Sequence, residues 1–246
     1  PHLVLLPDGR RVPLIAGGSS LTAYPDPDPE TTTVDGAVKR TVVNQTMADI
    51  RAGAGNGASP SLADNSTGFR ASATTDQFAD MVRFIFLYDT SSIADAETVD
   101  SATHSIWFNT GKSNGLLGES AEGSRWHLVA STPASNTDLV NADYGQLGAT
   151  SFGSSGTQAA LSAGAYFDTT VNATGLLDVS KTSVTKYGIR QGWEFDNTTT
   201  GLTWASGGFQ QLDSIYCADI TGTTNDPKLV VVSSVATTFV PRSMVF

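Results

Sequence analysis

Three histidines, His2, His104 and His127, are the only imidazoles in the chain, and Cys217 is its only thiol. Acid–base and nucleophilic catalysis draw first on such groups. His104 in "SATHSIWFN" and His127 in "SRWHLVAS" sit in strand-like runs beside Trp107 and Trp126. A catalytic triad at either would need a serine and an acid brought from elsewhere, and no nucleophile-elbow sequence marks where. Cys217, in "SIYCADI", reads as a small buried hydrophobe, and being alone it excludes an intrachain disulfide. With 24 acids a glycosidase pair can be drawn anywhere, yet no spacing singles one out. The expectation is a chain with no catalytic residues.

Oxygen ligands cluster in "DPDPE" (26–30) and "ADAETVD" (94–100), but neither has the spacing of a 12-residue calcium loop. Both read as solvated acidic loops. No cofactor is expected, and structural calcium is the one ion the acidic loops leave open. A Cys/His zinc pattern is absent. For glycan contact the residue of interest is Trp204, in the polar, glycine-flanked "TTTGLTWASGGFQ", where an exposed ring could stack on a sugar. The competing reading folds Trp204 down as a lid over the end of the domain, as aromatic rings are mostly buried. Trp107, Trp126 and Trp193 occupy strand positions and are assigned to the core.

The elements that would carry these residues are strands. Hydrophobic residues make up 39% of the 246, and charged ones 15%, while Gly, Ser and Thr fill much of the rest. That is an all-β profile. "AVKRTVV" (37–43) is a short strand, and "RAGAGNGASPSLADNSTG" a long polar surface loop. In "MVRFIFLYD" both alternating sets, Val82/Phe84/Phe86/Tyr88 and Met81/Ile85/Leu87, are apolar, with Arg83 the exception. Such a strand is central and covered on both faces. Two further strands lie in "SATHSIWFN" and "SRWHLVAS", and "AYFDTTVNATGLLDVSK" gives a strand followed by a helical turn capped by Asn172 or Thr174. "TKYGIRQGWEF" alternates, with Tyr187, Ile189, Trp193 and Phe195 on one face. Lys186, Arg190 and Glu194 on the other predict a half-solvated strand. "LDSIYCADI" and "KLVVV" complete about nine strands with no β-α alternation, so the fold class is an antiparallel jelly-roll β-sandwich.

Both ends carry apolar extensions. In "HLVLLPDGRRVPLI", Pro7-Asp8-Gly9 is strong turn chemistry between strands at Leu3–Leu6 and Val12–Ile15. Asp8, Gly9, Arg10 and Arg11 interrupt the apolar run, so it does not have the form of a signal peptide. Pro1 suits the position after a removed initiator methionine, which fits synthesis and assembly in a cytoplasm. A lone hairpin is marginal in water, so its side chains need another surface, on this chain or on a partner. Pro25, Pro27 and Pro29 predict a stiff spacer that holds it away. The division expected is an arm and spacer (1–35), a sandwich (36–233) and a tail (234–246). Leu3, Leu5, Leu14 and Ile15 are the docking residues expected to bind a neighbouring subunit. Net charge is −10, and no Lys/Arg cluster exceeds two residues, so neither nucleic acid nor membrane is an expected partner. The sequons at Asn44, Asn65, Asn172 and Asn197 are what a chain this rich in Asn, Ser and Thr produces by chance.

Four stretches carry a resemblance: "MVRFIFLYDTSSIADAETVDSATHSIWF", "TTVNATGLLDVSKTSVTKYGIRQGW", "WASGG" and "YCADITGTTNDPKLVVV". Together they resemble the DNRLRE-type β-sandwich module, although the short motif naming it is missing here. Modules of this type occur in bacterial surface proteins, polysaccharide-binding proteins and structural proteins of tailed bacteriophages. "LVNADYGQLG" and the ending around "TGTTNDPKLVV" are most similar to the phage group. Over residues 36–233 the resemblance implies a jelly roll and a non-enzymatic virion subunit: a capsid decoration, fibre or tail-associated protein. Its implied partners are other virion proteins, further copies of itself as a homo-oligomer, and a host-surface glycan. The alternative is a carbohydrate-binding or adhesion module of a secreted bacterial surface protein.

Overall fold

The chain opens with two short strands, β1 (Leu3–Leu5) and β2 (Arg11–Pro13), paired antiparallel with Leu3 opposite Pro13 and Leu5 opposite Arg11. This hairpin, legible from its turn residues, is a sheet of its own and is hydrogen-bonded to no other described strand. The computed structural model describes residues 3–5, 11–13, 18–62, 64–109, 113–114, 122–197 and 210–235. Strand accounts for 45% and helix for 12%, and the remaining thirteen strands form one large antiparallel sheet.

Next come β3 (Gly18–Ala23), β4 (Asp35–Gln45), the short helix α1 (Met47–Arg51), β5 (Gly57–Ser59), β6 (Asp64–Ala71) and β7 (Phe78–Asp89). After them lie β8 (Glu97–Phe108), β9 (Ser113–Asn114), β10 (Trp126–Ala130), β11 (Gly153–Ser154), β12 (Ala165–Thr170) and α2 (Ala173–Leu176). The chain closes with β13 (Val184–Gln191), α3 (Gly192–Phe195), β14 (Gln210–Tyr216) and β15 (Lys228–Val235).

β7 organises the whole. One edge pairs with β4, while the other is shared: β13 takes Phe84–Asp89 and β6 takes the stretch from Phe78 to Val82. The sheet therefore forks. One branch runs through β13 to β10 and β11, the other through β6 and β14 to β8, β15 and β3. Phe84, Phe86 and Tyr88 enter a core shared with Ile106 and Phe108 of β8, Tyr187 and Ile189 of β13, and Leu229 and Val231 of β15. Met81, Ile85 and Leu87 enter a second core with Val38, Ile50, Phe69 and Tyr144. The double burial follows from the double apolar pattern. At about 25 cal/mol per Å² of buried apolar surface, each such ring or aliphatic side chain contributes roughly 1.5–3 kcal/mol.

Several sequence expectations need correction. The Pro-rich stretch is no stand-off spacer, because β3 before it is the edge strand beside β15 and Asp28 N–H donates to Asp219 Oδ1 at 2.6 Å. Its extended bias is overridden by Asp26, whose carboxylate accepts from the N–H groups of Thr31, Thr32 and Thr33 and closes a turn. The polar loop from Arg51 contains β5 and leads into β6, since backbone pairing to β4 and β7 outweighs the weak strand propensity of Gly and Ser. α1 was not legible as a helix; Thr46 caps it, and Met47 and Ile50 bury its apolar side. β13 ends at Gln191 rather than running on, and its supposed solvent face is covered: Arg190 is 5% exposed and Glu194 1%. Trp107 is half-buried, not core, because it faces away from its buried neighbours Ile106 and Phe108. β15 extends to Val235, so the expected tail begins inside a strand; residues 236–246 lie outside the described residues.

Candidate functional site

The residues expected to do chemistry are scattered. Leu3 and Leu5 lie in β1, whereas Leu14, Ile15, Trp204 and His2 lie outside the described residues. His104, on β8, is 1% exposed and ringed by Phe86, Tyr88 and Tyr187, with centroids 5.2, 5.7 and 6.4 Å away. Burial pushes its pKa down to about 3, so it is a neutral core imidazole at ordinary pH. Cys217 is also fully buried, and its thiol bonds to the Asp35 carboxylate. Trp126 is core, and its indole N–H donates to buried Asp213 at 2.7 Å.

His127 is different, because the fold supplies the serine and the acid that its sequence lacks. Its Nδ1 lies 3.0 Å from Ser151 Oγ, and its Nε2 lies 3.8 Å from Asp196 Oδ2. The ring is stacked on Phe195 at 4.3 Å between centroids. No sequence signal could have found this set, since β10, the loop before β11 and the end of α3 come together only in three dimensions. Chemically it is a poor relay. At 3.8 Å Asp196 does not hydrogen-bond the imidazole, and that side chain is 47% exposed to solvent. The Ser151 hydroxyl donates to the Gly153 carbonyl at 3.1 Å as well. Burial lowers the His127 pKa, with Asp196 acting the other way. The ring holds the loop to the strand.

The densest charge cluster surrounds Glu194. Its carboxylate accepts from Arg83 Nη2 at 2.5 Å, from Arg190 Nε at 2.9 and 3.1 Å, and from Arg190 Nη2. Arg51 Nε approaches to 3.6 Å. Arg83 also donates to the carbonyls of Tyr144 and Arg51 at 2.6 and 3.2 Å, and its guanidinium lies 4.1 Å from the Tyr144 ring centroid. Burial alone would raise the Glu194 pKa, but the Arg83 charge and the Arg190 bonds outweigh it and hold it low. These charges are spent on one another and on backbone carbonyls. The apparent polar exceptions at Arg83 and Arg190 are thus one buried knot that ties α1, β7, β13 and α3 together.

Acidic stretches also have their roles. In "ADAETVD" the carbonyls of Asp95 and Glu97 accept from Lys181 Nζ at 2.6 and 2.9 Å, and the Glu97 carboxylate accepts from Ser19 and Ser233. In "DPDPE" the Asp26 carboxylate is used up by its turn; burial raises its pKa, but the Thr31 hydroxyl and the three N–H bonds lower it further. Among the described residues no three Asp, Glu, His or Cys side chains converge to hold a metal ion. Among the described residues, shallow hollows of about 270 Å³ and about 230 Å³ lie beside Glu97, Leu177 and Lys181 and beside Thr132 and Gln146. On the outer face of the branch carrying β8, Trp107 meets Tyr166 edge-to-face at 5.2 Å, and Lys228 Nζ lies 3.9 Å above the Tyr166 ring. No described helix is long and apolar enough to cross a membrane.

The fold and these clusters define an all-β protein whose buried polar groups hold strands and loops together. No family model matches the chain, and no curated protein matches it either.

Proposed function

We propose that the chain is a non-enzymatic structural subunit of a bacteriophage particle, built on a jelly-roll scaffold and attached to its neighbours through the N-terminal hairpin. The observation that carries attachment is the hairpin itself: β1 and β2 pair with each other and with no other described strand. Neither outer edge has a partner among the described strands, and a neighbouring chain can satisfy such an edge by adding a strand. Burying Leu3, Leu5, Leu14 and Ile15 against that neighbour would add several kcal/mol at about 25 cal/mol per Å², before association costs. The setting in a virion, the homo-oligomer and assembly in the host cytoplasm rest on the resemblance of residues 36–233 to phage structural modules.

A second reading, the carbohydrate-binding or adhesion module, is favoured by the half-buried Trp107 and Tyr166 beside Lys228, because sugars stack on aromatic faces. Electron microscopy of an intact particle decides between the two. Density for this sandwich in a symmetric position, with its first 17 residues on an adjacent subunit, supports the first; absence from any particle, with retention on a polysaccharide column, replaces it with the second.

A further inference from the structure

The buried acids at the base of the arm do something the attachment reading does not require. Residues 24–34 form a strap that carries the chain from the edge strand β3 to β4. It meets the turn between β14 and β15 in an all-acid junction. Asp28 N–H donates to Asp219 Oδ1 at 2.6 Å, and Ala218 N–H donates to the Asp35 carboxylate at 3.1 Å. Asp226 is 2% exposed and Asp35 1%. Three carboxylate oxygens, Glu30 Oε1, Asp219 Oδ2 and Asp226 Oδ1, are buried without a hydrogen-bond partner. An ionised carboxylate in that position is costly, whereas its protonated form is tolerated.

The surroundings supply charge of the wrong sign. From the strap come Asp28 and Glu30, and from the start of β4 comes Asp35; from the β14–β15 turn come Asp219 and Asp226; Asp138 adds to the field at Glu30. β7 contributes Tyr88 and β12 contributes Tyr166, whose hydroxyl donates to the Asp226 carbonyl at 2.9 Å. Asp168, also on β12, adds a further negative charge near Tyr166. Lys228 is the adjacent cation, and its Nζ is placed over the Tyr166 ring. No described Lys or Arg forms an ion pair with any acid of the junction.

We propose that this junction is a proton-operated latch: protonation of Asp226 beside Asp219 and Asp35 clamps the strap, and with it β3 and the base of the arm, while ionisation loosens them. Burial and then the Asp219 charge push the Asp226 pKa up to about 6, and burial also raises that of Asp35 well above its ordinary value. A folded-state pKa above the unfolded one stabilises most below the unfolded value, near 4, and that stabilisation is lost as pH rises through about 6.

The test is amide hydrogen exchange of the strap, corrected for chemical exchange rates, together with denaturant unfolding from pH 5 to 8. Wild type should tighten as pH falls from 8 to 5, by about tenfold in the strap-opening equilibrium, the share of a two-unit pKa difference that lies above pH 5. Asp226→Asn should show the tightened value throughout with a flattened profile, and Asp219→Asn should move the midpoint lower. The general approach to the isoelectric point stabilises all three chains alike, so equal slopes in wild type and both variants overturn the latch. A strap loosened by EDTA near neutral pH and restored by calcium also overturns it, assigning the orphaned oxygens to a cation instead.

Discussion

Replacing Glu194 by Gln removes one negative charge from between two buried guanidiniums and leaves nearly all atoms in place. Glu194, Arg83 and Arg190 are 1, 3 and 5% exposed, so water cannot screen what remains. Breaking a buried pair of this kind costs about 3–5 kcal/mol, because the surviving cation stays desolvated. Arg83 keeps its bonds to the Tyr144 and Arg51 carbonyls, and Arg190 keeps its bond to Gly148, which favours the lower part of that range. For a chain of this size about 2–4 °C of melting temperature accompanies each kcal/mol, so a fall of about 6–20 °C is expected. The pH profile adds a second signature. The Glu194 pKa is held below its ordinary value, so its contribution is fully present above the unfolded-state value near 4.5 and fades as pH falls through the lower folded one. The deficit of Glu194→Gln should accordingly be constant from pH 6 to 8 and shrink in acid. Urea unfolding measures it. A variant within about 1 kcal/mol of wild type at neutral pH would refute the claim that the knot is held by charge.

Four other outcomes can be checked. Deleting residues 1–17 should leave a folded domain, whereas deleting 1–30 removes β3 from the edge of β15 and should lower the melting temperature. Changing Leu5 and Leu14 together to Asp should abolish joining to a partner in a sedimentation assay without altering that temperature. His104→Phe should remain folded and resist acid better: a neutral core imidazole with a pKa near 3 contributes stability above about pH 6.5, up to about 5 kcal/mol of which is lost as pH falls toward 3. Ser151→Ala should change no hydrolytic rate, because wild type should not turn over activated esters above background; turnover that vanishes in both Ser151→Ala and His127→Ala would show that the contact is a working dyad.

Period and turn chemistry, which act locally, were enough to identify the strands with a clear apolar pattern and the hairpin, but not β3, β5 and β6. The two-sided apolar pattern of "MVRFIFLYD" marked β7 as a strand covered on both faces, and the helical turn α2 was legible with Asn172 or Thr174 as its cap; Asn172 takes that place, accepting from Gly175 N–H at 3.0 Å. Burial of polar residues was not legible. Arg83, Arg190 and Glu194 looked like a solvated face because alternation says which side a residue is on, never what lies over that side. Only the packing of α1, α3 and the Tyr144 loop onto the outer face of β7 and β13 supplied the partners that make their burial affordable. The strap shows the same limit in the other direction. Three prolines predict an extended spacer when taken alone, but Asp26 finds three N–H groups within seven residues, and Asp28 finds Asp219 almost two hundred residues away. Local sequence sets the conformations a segment can adopt; contacts between residues distant in the chain decide which one is kept, and they also brought Ser151 and Asp196 to His127 and set Asp226 among other acids.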